Sequence, residues 1–184
     1  MSRLIGLVKG FPGHPSHPPL TDVSIGAYTV ATAMFILGAL DVQRTQMAHG
    51  ALLALSGGLI VAVPTGLTGL LDWAGIEKRT PARRLATWHL FVMLTATVLF
   101  AVTWLLQRPG YINGTVKTTA WIVAIAAELV LAIGGYLGGT IVFAYGSRVT
   151  DASDRPMTVK DALAPKLSAT EPGPIDASRL PRRR

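Results

Sequence analysis

The chain has 184 residues, 50% of them hydrophobic and 15% charged, with a mean hydropathy of +0.44 and a formal net charge of +7. Soluble domains carry about 25% charged residues, so this balance excludes an ordinary water-soluble globule. The lack of cysteine excludes disulfides, thiolate metal sites, c-type haem attachment and cysteine-held iron–sulfur clusters within this chain.

Residues 1–21 contain Arg3 and Lys9 but no apolar run of signal-peptide length, and are expected to form a cytoplasmic segment rich in His and Pro. Four mostly apolar stretches of about 20 residues follow, over residues 22–43, 50–73, 86–107 and 119–145. At 1.5 Å per residue each helix can cross a hydrocarbon core of about 30 Å. None has the charged stripe that a water-facing helix needs. The expected fold is therefore all-α, an integral membrane bundle of four transmembrane helices occupying residues 22–146. Its short connections make consecutive helices antiparallel neighbours. Residues 147–184 lack apolar periodicity and close on Leu-Pro-Arg-Arg-Arg. They are expected to form a basic, mostly disordered cytoplasmic tail whose end rests on anionic headgroups. No convincing internal repeat stands out.

The positive charge is spread over flanks and tail rather than over one basic face, which argues for topology and against nucleic acid. One membrane side receives Arg3, Lys9, Lys78, Arg79, Arg83, Arg84, Arg148, Arg155, Lys160 and Lys166; the other receives Arg44, Arg108 and Lys117. The positive-inside rule then places both termini in the cytoplasm.

Small residues indicate where helices meet. Gly134–Gly138 and Gly135–Gly139 are overlapping GxxxG pairs in the fourth span, and Gly58, Ala62 and Gly66 recur on one face of the second. They predict packing within the bundle in preference to a homodimer. Pro64 predicts a kink, with Thr65 and Thr68 resatisfying the carbonyls it frees.

Few polar groups lie within the spans. Glu128 is the one charged type well inside, so it should face protein, protonated or paired; His49, Gln43 and Thr103 are candidate partners. A hydrogen bond between helices is the plainer role for it, and a proton or ion pathway the sharper one. Asp41 and Asp72 end the first and second spans, and Asp72 shares a polar stripe with Thr65 and Thr68. His14 and His17, in GHPSHPPL, and His89, one turn into the third span, converge on one membrane side, with Tyr145 at the same level. Neutral imidazole suits haem b or a divalent metal, against a plainer structural role. No nucleophile–base–acid set, P-loop, GxGxxG or HExxH pattern is present.

These motifs occur in a set order: GHPSHPPL before SIGAY, Asp41 ending the first span, GLTGLLDW, RRLATWH, and GGYLGGTIVFAYGSRV. Over about residues 10–149 the chain resembles the DUF 2231 family of predicted bacterial membrane proteins. The resemblance implies four spans, no settled activity, and, from relatives with attached Rieske or cytochrome-like domains, a place near membrane electron transfer. At Tyr145-Gly146 many relatives have His-Gly, so a ligand there would be changed in this chain.

The expected function is that of a multi-pass protein of the bacterial cytoplasmic (inner) membrane without catalysis of its own. It would serve as an accessory or scaffold subunit of a larger complex, respiratory in the reading the resemblance favours. Its partners would be membrane lipids and other membrane subunits or a second copy. The alternatives are a haem- or metal-binding electron carrier using His14, His17 and His89, and a small proton or ion pathway through Glu128.

Overall fold

A computed structural model describes residues 8, 10, 11, 14–147 and 149; the expectations for the tail lie outside these residues. Four long helices make up nearly all of the described chain: α1, His17–Ala39; α2, Arg44–Gly75; α3, Pro81–Ile112; and α4, Thr118–Phe143. Ahead of α1, Gly10–Phe11 (β1) and His14–Pro15 (β2) pair antiparallel. All four helices are long and apolar enough to cross a membrane.

The helix ends follow from local chemistry. Helix α1 begins at His17, five residues before the expected span. Pro18 and Pro19 occupy its first turn, where a missing N–H costs nothing and a fixed φ favours helix. Asp41 and Gln43 adopt left-handed backbone (φ 66° and 43°), closing a tight connection to α2. Asp41 there pairs with Arg44 at 2.7 Å, on the surface, where such a pair contributes little. Pro81 opens α3, and the Thr80 hydroxyl accepts a hydrogen bond from the Arg83 N–H at 3.1 Å. At 32 residues each, α2 and α3 reach about 48 Å, so their ends extend past the hydrocarbon into the headgroup layer. Helix α2 continues through Pro64; the Thr65 and Thr68 hydroxyls donate to Val61 O and Pro64 O.

Helix α1 packs chiefly on α2 and α3 on α4, and the two hairpins meet along α2–α3 and α1–α4. Helices α1 and α3 touch across the centre, where Tyr28 and Phe100 stack with ring centroids 4.2 Å apart and planes 16° from parallel. Around them lie Ala31, Phe35, Ala51, Leu55, Ala96, Ala124, Ala127 and Leu131, all buried. Gly58 admits the Tyr28 ring: a Cβ there would stand 2.8 Å from it. Outward, Leu53, Ile60, Val63 and Leu67 of α2, Leu94 and Val98 of α3, and Leu129 and Ile133 of α4 are each more than half exposed. An apolar belt of that extent belongs in lipid.

The hairpins repeat one another, which the sequence reading missed. A constant interval of 72 residues carries His17 to His89, and the buried Ser24, Tyr28, Ala31, Phe35 and Gly38 to the buried Ala96, Phe100, Thr103, Gln107 and Gly110. An interval of 69 carries Ala51, Leu55, Gly58, Thr65 and Gly69 of α2 to Ala120, Ala124, Ala127, Gly134 and Gly138 of α4. The bundle is thus two copies of one helical hairpin, a parallel repeat.

Candidate functional site

The hairpin repeat places a histidine at the same position in each half. His17, the first residue of α1, is anchored on α2, its Nδ1 3.0 Å from Thr65 O. His89 of α3 is anchored on α4 in the same manner, its Nδ1 2.9 Å from Gly134 O. A carbonyl oxygen only accepts, so in a neutral imidazole each Nδ1 carries the hydrogen. Each Nε2 then keeps a lone pair available to a metal.

One turn beyond each carbonyl stands a glycine beneath the ring. A Cβ on Gly69 would lie 2.7 Å from Cε1 of His17, and one on Gly138 would lie 3.0 Å from Cε1 of His89. Both glycines are needed as bare backbone for the rings to sit where they do.

A hydroxyl network surrounds His17. Thr68 Oγ1 lies 3.4 Å from its Nδ1, and Thr21 Oγ1 lies 3.5 Å from its Nε2 while donating to the His17 carbonyl. Ser24 Oγ and Thr65 Oγ1 are 3.3 Å apart between α1 and α2. The Thr65 and Thr68 part of the polar stripe is therefore the helix interface that positions His17. Around His89 the corresponding residues are apolar: Met93 and Ala96 replace Thr21 and Ser24. The second imidazole thus has fewer polar neighbours than the first.

Of the three histidines expected on one membrane side, His17 is tied to α2 and His89 to α4. His14 contributes backbone to β2, and its side chain lies outside the described residues. Tyr145 follows α4 and is 46% exposed. His49, at the opposite end, binds Tyr111 O at 2.9 Å and packs against the Tyr111 ring, holding α2 to the end of α3. No group of three His, Cys, Asp or Glu able to hold a metal ion occurs among the described residues.

Glu128 lies elsewhere, midway along α4, and its partners differ from the expected His49, Gln43 and Thr103. Thr29 and Thr32 of α1 donate to its two carboxyl oxygens at 2.8 and 3.4 Å. It bridges the α1–α4 seam, while Trp104 donating to Ser56 at 2.8 Å bridges the α2–α3 seam. Glu128→Leu is expected to destabilise the protein by about 1 kcal/mol, the scale of hydrogen bonds between membrane helices, and Glu128→Gln by less. Unfolding in mixed micelles measures both.

The expected packing glycines divide in two. Gly58 meets Tyr28, Gly134 meets Met93 and Gly138 meets His89, whereas Gly66 and Gly135 face open space and Gly139 touches only Phe143 of its own helix. Only one of the overlapping GxxxG pairs therefore packs within the bundle. Gly69, which the sequence reading passed over, takes the place on α2 that Gly138 takes on α4. Its signal was legible beside Thr65 and Thr68.

Four apolar, lipid-exposed helices define a multi-pass integral membrane protein of the all-α class. The chain belongs to the DUF2231 family, described as predicted membrane proteins, whose family model matches residues 13–151, a range that includes both histidines and Glu128. Searches of curated proteins and of solved structures gave no match.

Proposed function

We propose that this protein is a haem-binding electron carrier of a bacterial cytoplasmic membrane, in which His17 and His89 are the residues that would hold the haem iron. The observation that carries this reading is the duplicated anchor: in each hairpin an imidazole Nδ1 is tied to a backbone carbonyl of the next helix, over a glycine one turn on. Such anchoring is how metal-binding histidines are held in orientation, with Nε2 left for the metal. Two protein ligands suit a group that brings its own equatorial donors, as a porphyrin does. A bare zinc or copper ion would draw three or four ligands from the protein.

When bound, haem supplies one-electron chemistry, passing between ferric and ferrous states. The chain's contribution is to fix the two rings and exclude water. Asp72 and the hydroxyls near His17 supply a polar environment that offsets positive charge there. Haemin titrated into the detergent-solubilised protein is expected to reach equivalence at one per chain; saturation only at variable, non-stoichiometric levels would reject the reading.

The charge of the loops supports an orientation in which the histidine end faces the cytoplasm, since Lys78, Arg79, Arg83 and Arg84 lie at that end and Arg44, Arg108 and Lys117 at the other. The chain has no cysteine, so single substitutions report topology directly. In intact spheroplasts an impermeant maleimide is expected to label Lys117→Cys and to spare Lys78→Cys until the cells are opened.

A second reading, an accessory subunit of a respiratory complex, draws on outward small residues of α2 and α4. Gly66 and Gly135 each meet nothing within the bundle, so a partner helix can approach closely at either. The two readings are compatible, because a carrier must dock on its donor.

A further inference from the structure

The start of α3 carries a second feature, on the lipid side and away from the histidines. Arg84, Thr87, Trp88 and Phe91 line a depression of about 310 Å³. Residues 84, 88 and 91 share one face of the helix and descend about 10 Å along it. Trp88 and Phe91 are 62% and 58% exposed, and Arg84 is exposed above them.

The two neighbouring arginines are used differently. Arg83 lies 3.5 Å over the Trp73 ring and donates to the Trp73 and Ile76 carbonyls, fixing the α2–α3 loop. The Arg84 guanidinium makes no hydrogen bond or ion pair among the described residues. Thr87 is occupied, accepting from Trp73 Nε1 and donating to Arg83 O. Lys78 and Arg79 add positive charge in the adjoining loop, against Glu77 there and Asp72 at the end of α2.

We infer that this depression is a binding site for one anionic phospholipid. The phosphate pairs with Arg84, whose planar fork matches it; the glycerol region lies against Trp88, at the depth where indoles collect; and an acyl chain runs over Phe91. The occupant is set by charge at the top and apolar rings below, in the order in which a phospholipid presents them.

The test uses the full chain in vesicles containing a minor share of lipid with brominated acyl chains, either phosphatidylglycerol or phosphatidylcholine. Bromine quenches indole at contact, and the Trp88 signal is the emission lost in Trp88→Phe. Brominated phosphatidylglycerol is expected to quench that signal about fivefold more effectively than brominated phosphatidylcholine, the preference expected for one interfacial charge. Arg84→Gln should bring the ratio to about one, Arg84→Lys, which keeps the charge but not the fork, should fall between the two, and Arg108→Gln, at the far end, should leave it intact. Equal quenching by the two lipids in the unaltered protein would overturn the inference. So would a preference that survives Arg84→Gln.

Discussion

His17→Ala and His89→Ala are each expected to abolish six-coordinate haem binding, whereas His49→Gln leaves it unchanged. Each alanine would remove one of the two nitrogens proposed to hold the iron, and no third His, Cys, Asp or Glu among the described residues is grouped with the pair to replace it. Removing a partner that merely supports a ligand costs metal sites about ten- to a hundredfold in affinity, so loss of a ligand should cost at least that. The surviving haem should be five-coordinate and high-spin. The two variants should also differ. His89 lies among apolar residues, while His17 is wrapped by Thr21, Thr65 and Thr68 with Asp72 in electrostatic reach. A water can enter the emptied His17 position more readily, so His17→Ala should bind exogenous imidazole with less selectivity against water. His49 serves as the control because it sits at the other end of the bundle, bound to Tyr111. Haem titration followed by absorption reads all three variants.

Gly58→Ala is expected to be among the most destabilising single-methyl changes in the chain, and Gly57→Ala among the least. The added methyl at position 58 would lie 2.8 Å from two carbons of the Tyr28 ring and 3.1 Å from the Ala27 Cβ. The ring has little room to retreat, because Phe100 stacks on its other face at 4.2 Å. Overpacking of this kind costs about 1–3 kcal/mol. At position 57 nothing lies within 4 Å, so the methyl meets lipid and the helix gains what alanine offers over glycine. Unfolding of the pair in mixed micelles, under one condition, isolates the packing effect from helix propensity.

The four spans were readable because a run of apolar residues long enough to cross a bilayer has few other interpretations. Their ends were less so. His17, Pro18 and Pro19 read as part of the His- and Pro-rich segment ahead of the first span, yet the same prolines in a first turn start the helix and bring His17 into α1. The pairing of His17 with His89 was visible only as a shared membrane side. Their common anchoring depends on the rotation of each helix about its axis, which a nearly uniform apolar sequence leaves undetermined. The same freedom hid the partners of Glu128, since Thr29 and Thr32 look like ordinary membrane hydroxyls until α1 is set against α4.

The repeat was hidden for a related reason. Its two halves keep identity at His17 and His89, Gly38 and Gly110, and Gly69 and Gly138, and similarity at Tyr28 and Phe100, but exchange Phe35 for Gln107 and Ser24 for Ala96. Those exchanges match different needs at the two ends. Gln107 is buried and binds Thr115 O and the Lys117 N–H, closing the α3–α4 connection, a task that the left-handed turn at Asp41 and Gln43 performs for α1–α2. Glycines over histidines are thus the better marker of this architecture than overall similarity between its halves.

The most direct test of the central claim is electron paramagnetic resonance of the ferric protein, purified in gentle detergent from haem-sufficient bacteria. A low-spin signal of bis-imidazole type at one haem per chain is expected, converted to high spin by either His17→Ala or His89→Ala. A well-folded protein that is colourless and takes up no haemin, or one whose haem signal is indifferent to both substitutions, would contradict it.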